Sequence, residues 1–445
     1  MNFQSSGRTI SAISEKADIR PLRLAALGDG VIGPLSSMRR GASGPECAFI
    51  DQRFPIWLGM LLPGVEASEN AIVGAPGEFA TEIAARANAL LDLHPLPDAV
   101  LICAGAEDCA AAVRGVAPDA DDAARAFRDM ADLFAARGVK PIFIIPPPNA
   151  LFSNGLFADR YVTLASTLRR LCRVATGPAL IDPIPDLLKP RARGIEPDPR
   201  YASEAGLTSL GAFRLAQTVA ARLRALFPHF DLDGADDANS DAALNANPFL
   251  DEPGGEVASV VVGACAAGYR IDGHGLGDAA IRASVERSLG RSGQRISFSG
   301  SYSTGWGFAR LHQRAPMEAI MSLARGDEIE AVCDFELVGP VENIASVSLH
   351  ATPVWNGGFI GLHSSSYAGG PGVAEPHRGR LRTPRFTLPR ELTALNLSLQ
   401  AHLVPGADRN VSGELLVQSL MVRKAAPSAV GTADQTTRQL KRRRA

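Results

Sequence analysis

From Arg23 to Leu226 the chain alternates short apolar runs with longer segments whose apolar residues recur every three or four positions. This alternation restricts the possible fold more than any other feature. Runs of three to five apolar residues are too short for buried helices and read as strands covered on both faces. They are Leu24–Leu27, Asn70–Val73, Ala99–Cys103, Pro141–Ile145 and Ala179–Ile181. Four helical stretches lie between them and a fifth follows the last. The first is Phe54–Leu62, with Pro55 tolerated in its first turn. The second is carried by Phe79, Ile83, Ala87, Leu90 and Leu91; the others are Asp121–Arg137, Arg160–Ala175 and Leu210–Leu226. Strands and helices in this order imply right-handed crossovers and a parallel five-stranded sheet with helices on both faces, an α/β fold.

After Gly255 the texture changes. Val257–Gly263, Arg295–Tyr302, Glu328–Val338, Ala345–His350, Phe359–Ser364, Leu381–Leu388, Leu395–Leu403 and Val411–Val422 all read as strands. Turns such as Asn356-Gly-Gly358 separate them. Short strands with Gly/Pro turns predict an all-β sandwich or jelly roll. The expected organisation is a flexible N-terminus (1–20), an α/β domain (21–228), an acidic, Asn-rich linker (229–254), a β-sandwich domain (255–424) and a disordered basic tail (425–445). The linker's aspartates do not follow the EF-hand spacing: Ala235 and Ala242 occupy positions five and twelve counted from Asp231. A solvated connection is expected there.

Formal net charge is -2 over 445 residues, so nothing global points to nucleic acid. No apolar run reaches the length of a signal peptide's core or a transmembrane helix, and the expected location is cytoplasmic. The six cysteines, Cys47, Cys103, Cys109, Cys172, Cys265 and Cys333, include no CxxC pair and read as free thiols. No metal or other cofactor is expected.

In an open parallel sheet, ligands bind beyond the carboxyl ends of the strands. Here those ends are Gly28-Asp-Gly30, Gly74–Gly77, Gly105–Asp108, Pro146–Asn149 and the Tyr201–Thr208 segment before the last helix. In order and spacing these blocks resemble those of the SGNH (GDSL-type) hydrolases, which are esterases, lipases and carbohydrate deacetylases on a flavodoxin-like sheet. The resemblance covers roughly residues 22–226. That family carries a Gly-Asp-Ser turn, a glycine after strand two, a Gly-x-Asn-Asp turn and an Asp-x-x-His before the last helix. Its serine attacks, its histidine is the base, its aspartate orients the histidine, and the asparagine helps bind the oxyanion. Gly28-Asp29, Gly74 or Gly77, Gly105 and Asp108 fit the frame. The chemical positions differ: Gly30 stands for the serine, Glu107 for the asparagine, Ala205 for the aspartate and Thr208 for the histidine. Loss of nucleophile or base alone costs about 10⁶ in turnover, and loss of one oxyanion donor about 10²–10³.

No substitute is evident. His94 and His229 fall at the amino-end side of the sheet, and Ser36 and Ser37 have no visible base. Asp29, Glu107 and Asp108 instead gather carboxylates near one crevice, and crowding raises a carboxyl pKa. Trp306 and Trp355 in the β region are candidates for stacking on sugar rings. Binding of a saccharide or acylated small molecule without triad hydrolysis is therefore expected, at Asp29, Gly30, Gly74, Gly77, Glu107, Asp108, Thr208, Trp306 and Trp355. Two alternatives stand beside it: an esterase, deacetylase or acyltransferase using other residues, and a protein-interaction scaffold.

Overall fold

The computed structural model describes residues 20–32, 54–66, 71–116, 119–173, 177–189, 196–203, 206–232, 234, 243–288, 291–365, 373–374 and 377–425. Ala205, Ser36, Ser37, Cys47, most of the acidic run at 233–242 and the basic tail lie outside them. The first half contains β1 (Leu22–Gly28), α1 (Phe54–Leu61), β2 (Val65–Glu66), β3 (Ile72–Gly74), α2 (Ala80–Ala85), α3 (Asn88–Leu91), β4 (Ala99–Cys103), α4 (Ala106–Val113), α5 (Ala120–Ala136), β5 (Lys140–Ile144), α6 (Gly155–Leu171), β6 (Ala179–Ile181), α7 (Ile184–Leu187), a small ribbon of β7 (Ala202–Ser203) and β8 (Gly206–Leu207), and α8 (Ser209–Leu226).

The sheet runs β3–β1–β4–β5–β6, all parallel, and the two-residue β2 shares the outer edge of β1 with β3. It has six strands where the apolar runs predict five, because Val65–Glu66 is too short to leave a run of its own. Side chains alternate between the faces as a pleat requires. Leu24, Ala26, Leu101 and Ile142 pack towards α1 and α8. Ala25, Leu27, Val100 and Ile102 pack towards α2, α3, α4, α5 and α6. Helix α6 begins five residues before its predicted start. The Asn154 side chain caps it, accepting from Leu156 N at 3.0 Å, a signal that apolar periodicity does not carry.

The second half contains β9 (Glu256–Val257), β10 (Val261–Gly263), β11 (Arg270–His274), β12 (Ala280–Ser288), β13 (Arg291–Thr304), β14 (Phe308–Arg314), α9 (Met317–Met321), β15 (Glu328–Glu342), β16 (Ile344–Trp355), β17 (Gly358–Phe359), β18 (Leu362–Ser365), β19 (Val373–Ala374), β20 (His377–Arg382), β21 (Phe386–Thr387), β22 (Leu392–Leu403) and β23 (Gly406–Lys424). An eight-stranded sheet follows β10–β12–β13–β23–β15–β19, with β20 and β21 also on β15. A seven-stranded sheet follows β17–β16–β22–β14–β11–β9, with β18 on β16. Ile296, Phe298, Leu415 and Val417 of the first share a core with Leu311, Leu349, Leu397 and Leu399 of the second. Pairing is antiparallel except at the edges, where β10–β12 and β9–β11 are parallel.

The described part of the predicted linker is solvated only in places: Ala246 and Glu252–Gly254 are exposed, whereas other residues are built into the fold. Asn245 is buried: its amide donates to Leu420 O (2.9 Å) and Tyr269 OH (2.8 Å), and its oxygen accepts from Val422 N (2.8 Å). Leu232 and Leu250 join the core. The two halves also pack on one another. Met60 of α1 lies against Gly379 of β20, and the rings of Phe213 and His377 are 4.7 Å apart. One hydrophobic cluster therefore runs from β1 through α1 and α8 into both sandwich sheets.

Candidate functional site

The turn after β1 is fixed by its neighbours. A Cβ on Gly28 would sit 2.1 Å from Cys103 O, so only glycine lets β1 lie this close to β4. Asp29 N donates to Cys103 O at 3.1 Å. The Asp29 carboxylate folds back over its own turn and accepts from Val31 N at 3.0 Å. Its other oxygen has no hydrogen-bond partner among the described residues, and the residue is 4% exposed. Burial, with Asp108 and Glu107 adding like charge, pushes its carboxyl up to about 6.

Gly30 differs from Gly28. Its φ lies outside the left-handed range, and a Cβ there would approach nothing nearer than the Pro76 side chain at 3.4 Å. The backbone accommodates a larger residue, so the glycine is not a packing requirement. Pro76, in the turn after β3, is the neighbour that covers this position; its exposed place in a Gly/Pro turn marks it only as loop in the sequence. Gly74 pairs in register with Gly28, and Gly77 takes φ +82°, a left-handed turn position.

Gly105, at φ +101°, leads into α4 and brings two acidic side chains to its first turn. Asp108 accepts from Ala80 N at 2.9 Å and so holds the start of α2 to α4. Burial raises its carboxyl pKa as well, and its second oxygen has no partner among the described residues. Glu107 forms an ion pair with Arg114 on the same helix. The three carboxylates are brought together as a charge cluster, with Glu107 tied along α4. Arg86 enters the same region unannounced by any motif. It pairs with Glu78 and reaches Gly28 O at 3.5 Å.

Thr208 caps α8. Its hydroxyl accepts from Gly211 N (3.0 Å) and donates to Arg200 O (2.6 Å), so both of its functions are spent on the helix start. His94 precedes β4, and His229 lies beside the Arg20 end of β1, where Asp231 N donates to Arg20 O. Both lie at the opposite end of the strands from Asp29.

The two tryptophans are far apart. Trp355 ends β16 opposite Leu392, and its ring stacks on Phe386 at 6.0 Å and packs against the core. Trp306 precedes β14, where Phe308 pairs with His402, and it is 61% exposed. Ten residues of β22 separate these positions, about 34 Å of strand. They do not form one platform. Among the described residues, no cluster of His, Cys, Asp and Glu is arranged to hold a metal ion, and no helix is long and apolar enough to cross a membrane.

No family model matches the chain, and no curated protein matches it in sequence. Solved structures are similar to parts of it. The N-terminal half is similar to a lipolytic protein of the G-D-S-L family from Desulfitobacterium hafniense, at 15% identity over 45% of this chain and 98% of that one, with a TM-score of 0.33. A carbohydrate esterase of family 3 from Talaromyces cellulolyticus matches at 18% identity over 46% and 98%, with a TM-score of 0.28. A carbohydrate-binding module of the β-sandwich superfamily matches at 14% identity over 35% of this chain and 57% of that one, with a TM-score of 0.22.

Proposed function

We propose that this protein carries an SGNH-hydrolase-like domain without the serine triad, and that it binds a saccharide or an acylated small molecule rather than hydrolysing one. The observation that carries this reading is the chemistry around the first turn. Gly30 has no side chain, the Thr208 hydroxyl is consumed by its cap, and what faces the turn is carboxylate. Acyl transfer through a tetrahedral intermediate needs a nucleophile, a base and donors aimed at a developing oxyanion. An Asp29 carboxyl held near 6 and a buried Asp108 work against the last of these and favour hydrogen bonds to hydroxyl groups.

The test is turnover of p-nitrophenyl acetate and of acetylated sugars at high protein concentration. The expected rate equals that of buffer. Turnover that disappears in Asp29→Asn or Glu107→Gln would overturn the reading and establish carboxylate-based hydrolysis instead.

A further inference from the structure

We propose that the His350–His363 contact is an acid-sensitive latch: neutral imidazoles hold the edge strand β18 on β16, and their protonation releases it. The strand register brings the two rings together. His350 and His363 stand directly opposite one another in the antiparallel pair β16–β18, between the pairs Leu349–Ser364 and Ala351–Leu362. Their Nδ1 atoms lie 2.5 Å apart. In such a contact one nitrogen donates and the other accepts, so one Nδ1 has to stay without a proton. A second proton sets two N–H groups against each other, and like charges directly opposite on neighbouring strands are destabilising.

The groups around the pair do not accommodate positive charge. His350 Nε2 is buried and has no hydrogen-bond partner among the described residues, so a proton there meets no acceptor. From β22 comes His402, 6.4 Å away ring to ring. From β14 come Arg310 and His312, the latter on the same rung as Ser398 and His350. Asp272 on β11 is held by Arg310 at 3.0 and 2.7 Å, with His312 Nε2 at 3.2 Å. Strand β20 also comes beside β16 and β18, and its ionisable residues, His377, Arg378, Arg380 and Arg382, are all basic. Burial and the neighbouring imidazoles accordingly push His350 down to about 3, and burial lowers His363.

Strand β18 is the element that yields. It has four residues, and β16 is its only strand partner among the described residues. Of the four, only Leu362 adds apolar surface to the core. A further tie to β16 is the hydroxyl contact between Ser348 and Ser365 at 2.5 Å. Strand β16, in contrast, is paired with β22 from Ile344 to Trp355. A short edge strand with few buried contacts opens locally before the rest of the sheet does. Once β18 is released, His350 and His363 are solvated and titrate near their ordinary value of about 6.5. Pairing is therefore complete above that pH and weakens as pH falls. For His350 alone, the open fraction rises about 30-fold between pH 7.5 and pH 5.

The experiment is hydrogen–deuterium exchange of the full chain at pH 7.5, 6 and 5, read by peptide mass and corrected for the intrinsic exchange rate at each pH. Amides of β18 should lose about 30-fold in protection between pH 7.5 and pH 5, while those of β13 and β23 in the other sheet stay closed over the same time. His350→Gln should remove most of this pH dependence, and His350→Gln with His363→Gln all of it. Near-ultraviolet circular dichroism checks that each variant is folded. A disulfide formed in the Ser348→Cys/Ser365→Cys variant tests the latch with both histidines in place: oxidation should abolish the acid-induced loss and reduction should restore it. Protection of β18 that is unchanged with pH in the wild type, or that falls as far in the double glutamine variant, overturns the proposal. So does protection lost evenly across both sheets, which is global destabilisation without a released strand.

Discussion

At the scale of single residues, two glycines two positions apart have opposite meanings. Gly28 is demanded by the Cys103 carbonyl, and Gly28→Ala should cost about 3 kcal/mol in a denaturant titration through overpacking against backbone. Gly30 has room for a Cβ beside Pro76. Gly30→Ser should fold with a near-native melting temperature and still show no esterase activity, because among the described residues no histidine stands beside it. Asp29 gives a pH signature. Its folded-state pKa is raised to about 6, above the unfolded value, so the native state holds the proton longer than the unfolded chain. The stability it contributes is complete below about pH 4 and is lost as pH rises through about 6. Asp29→Asn should therefore gain about 1–3 kcal/mol over the wild type between pH 4 and pH 8, read from melting curves.

At the scale of elements, the parallel strands were legible because each is a continuous apolar run, and β4 matches its run residue for residue. The sandwich strands β11, β12 and β14 left no such trace. Their outward positions carry Arg270, Asp272, Arg282, Glu286, Arg310 and His312, and the inward positions of β12 include only Ile281, Ala283 and Val285. Polar alternation on a face that bears side-chain networks looks like loop in sequence. The seven-stranded sheet that contains β11 and β14 also holds the histidines. His350 and His363 meet through their Nδ1 atoms at 2.5 Å, and His402 lies 6.4 Å from His350 ring to ring. Burial and the neighbouring imidazoles push His350 down to about 3, with Arg310 adding positive charge; burial also lowers His363 and His402. Their folded-state values lie below the unfolded one, so stability is present above about pH 6.5 and is lost as pH falls. Melting curves from pH 7.5 to 5 should show the loss, with about 2 kcal/mol by pH 5 absent from His350→Gln.

At the scale of the whole molecule, the continuous core makes the two halves one thermodynamic body. Phe213 belongs to α8, yet it meets His377 in the sandwich. Phe213→Ala should cost about 3–5 kcal/mol and lower the melting of both halves together in calorimetry. This coupling was not legible in the sequence. Residues 229–254 read as a solvated linker, whereas among its described residues Asn245 is bonded into the sandwich and Leu232 into the shared core. The candidate crevice was legible as a set of turns; the pairing of Glu107 with Arg114 and the cap formed by Thr208 needed three dimensions. The central claim is that this crevice has no acylating nucleophile. Intact-mass spectrometry of the full chain after exposure to a serine-directed fluorophosphonate tests it most directly. The account predicts an unmodified mass for the protein and for Gly30→Ser alike. A stoichiometric adduct on the wild type, mapped to a residue beside Asp29, would contradict it.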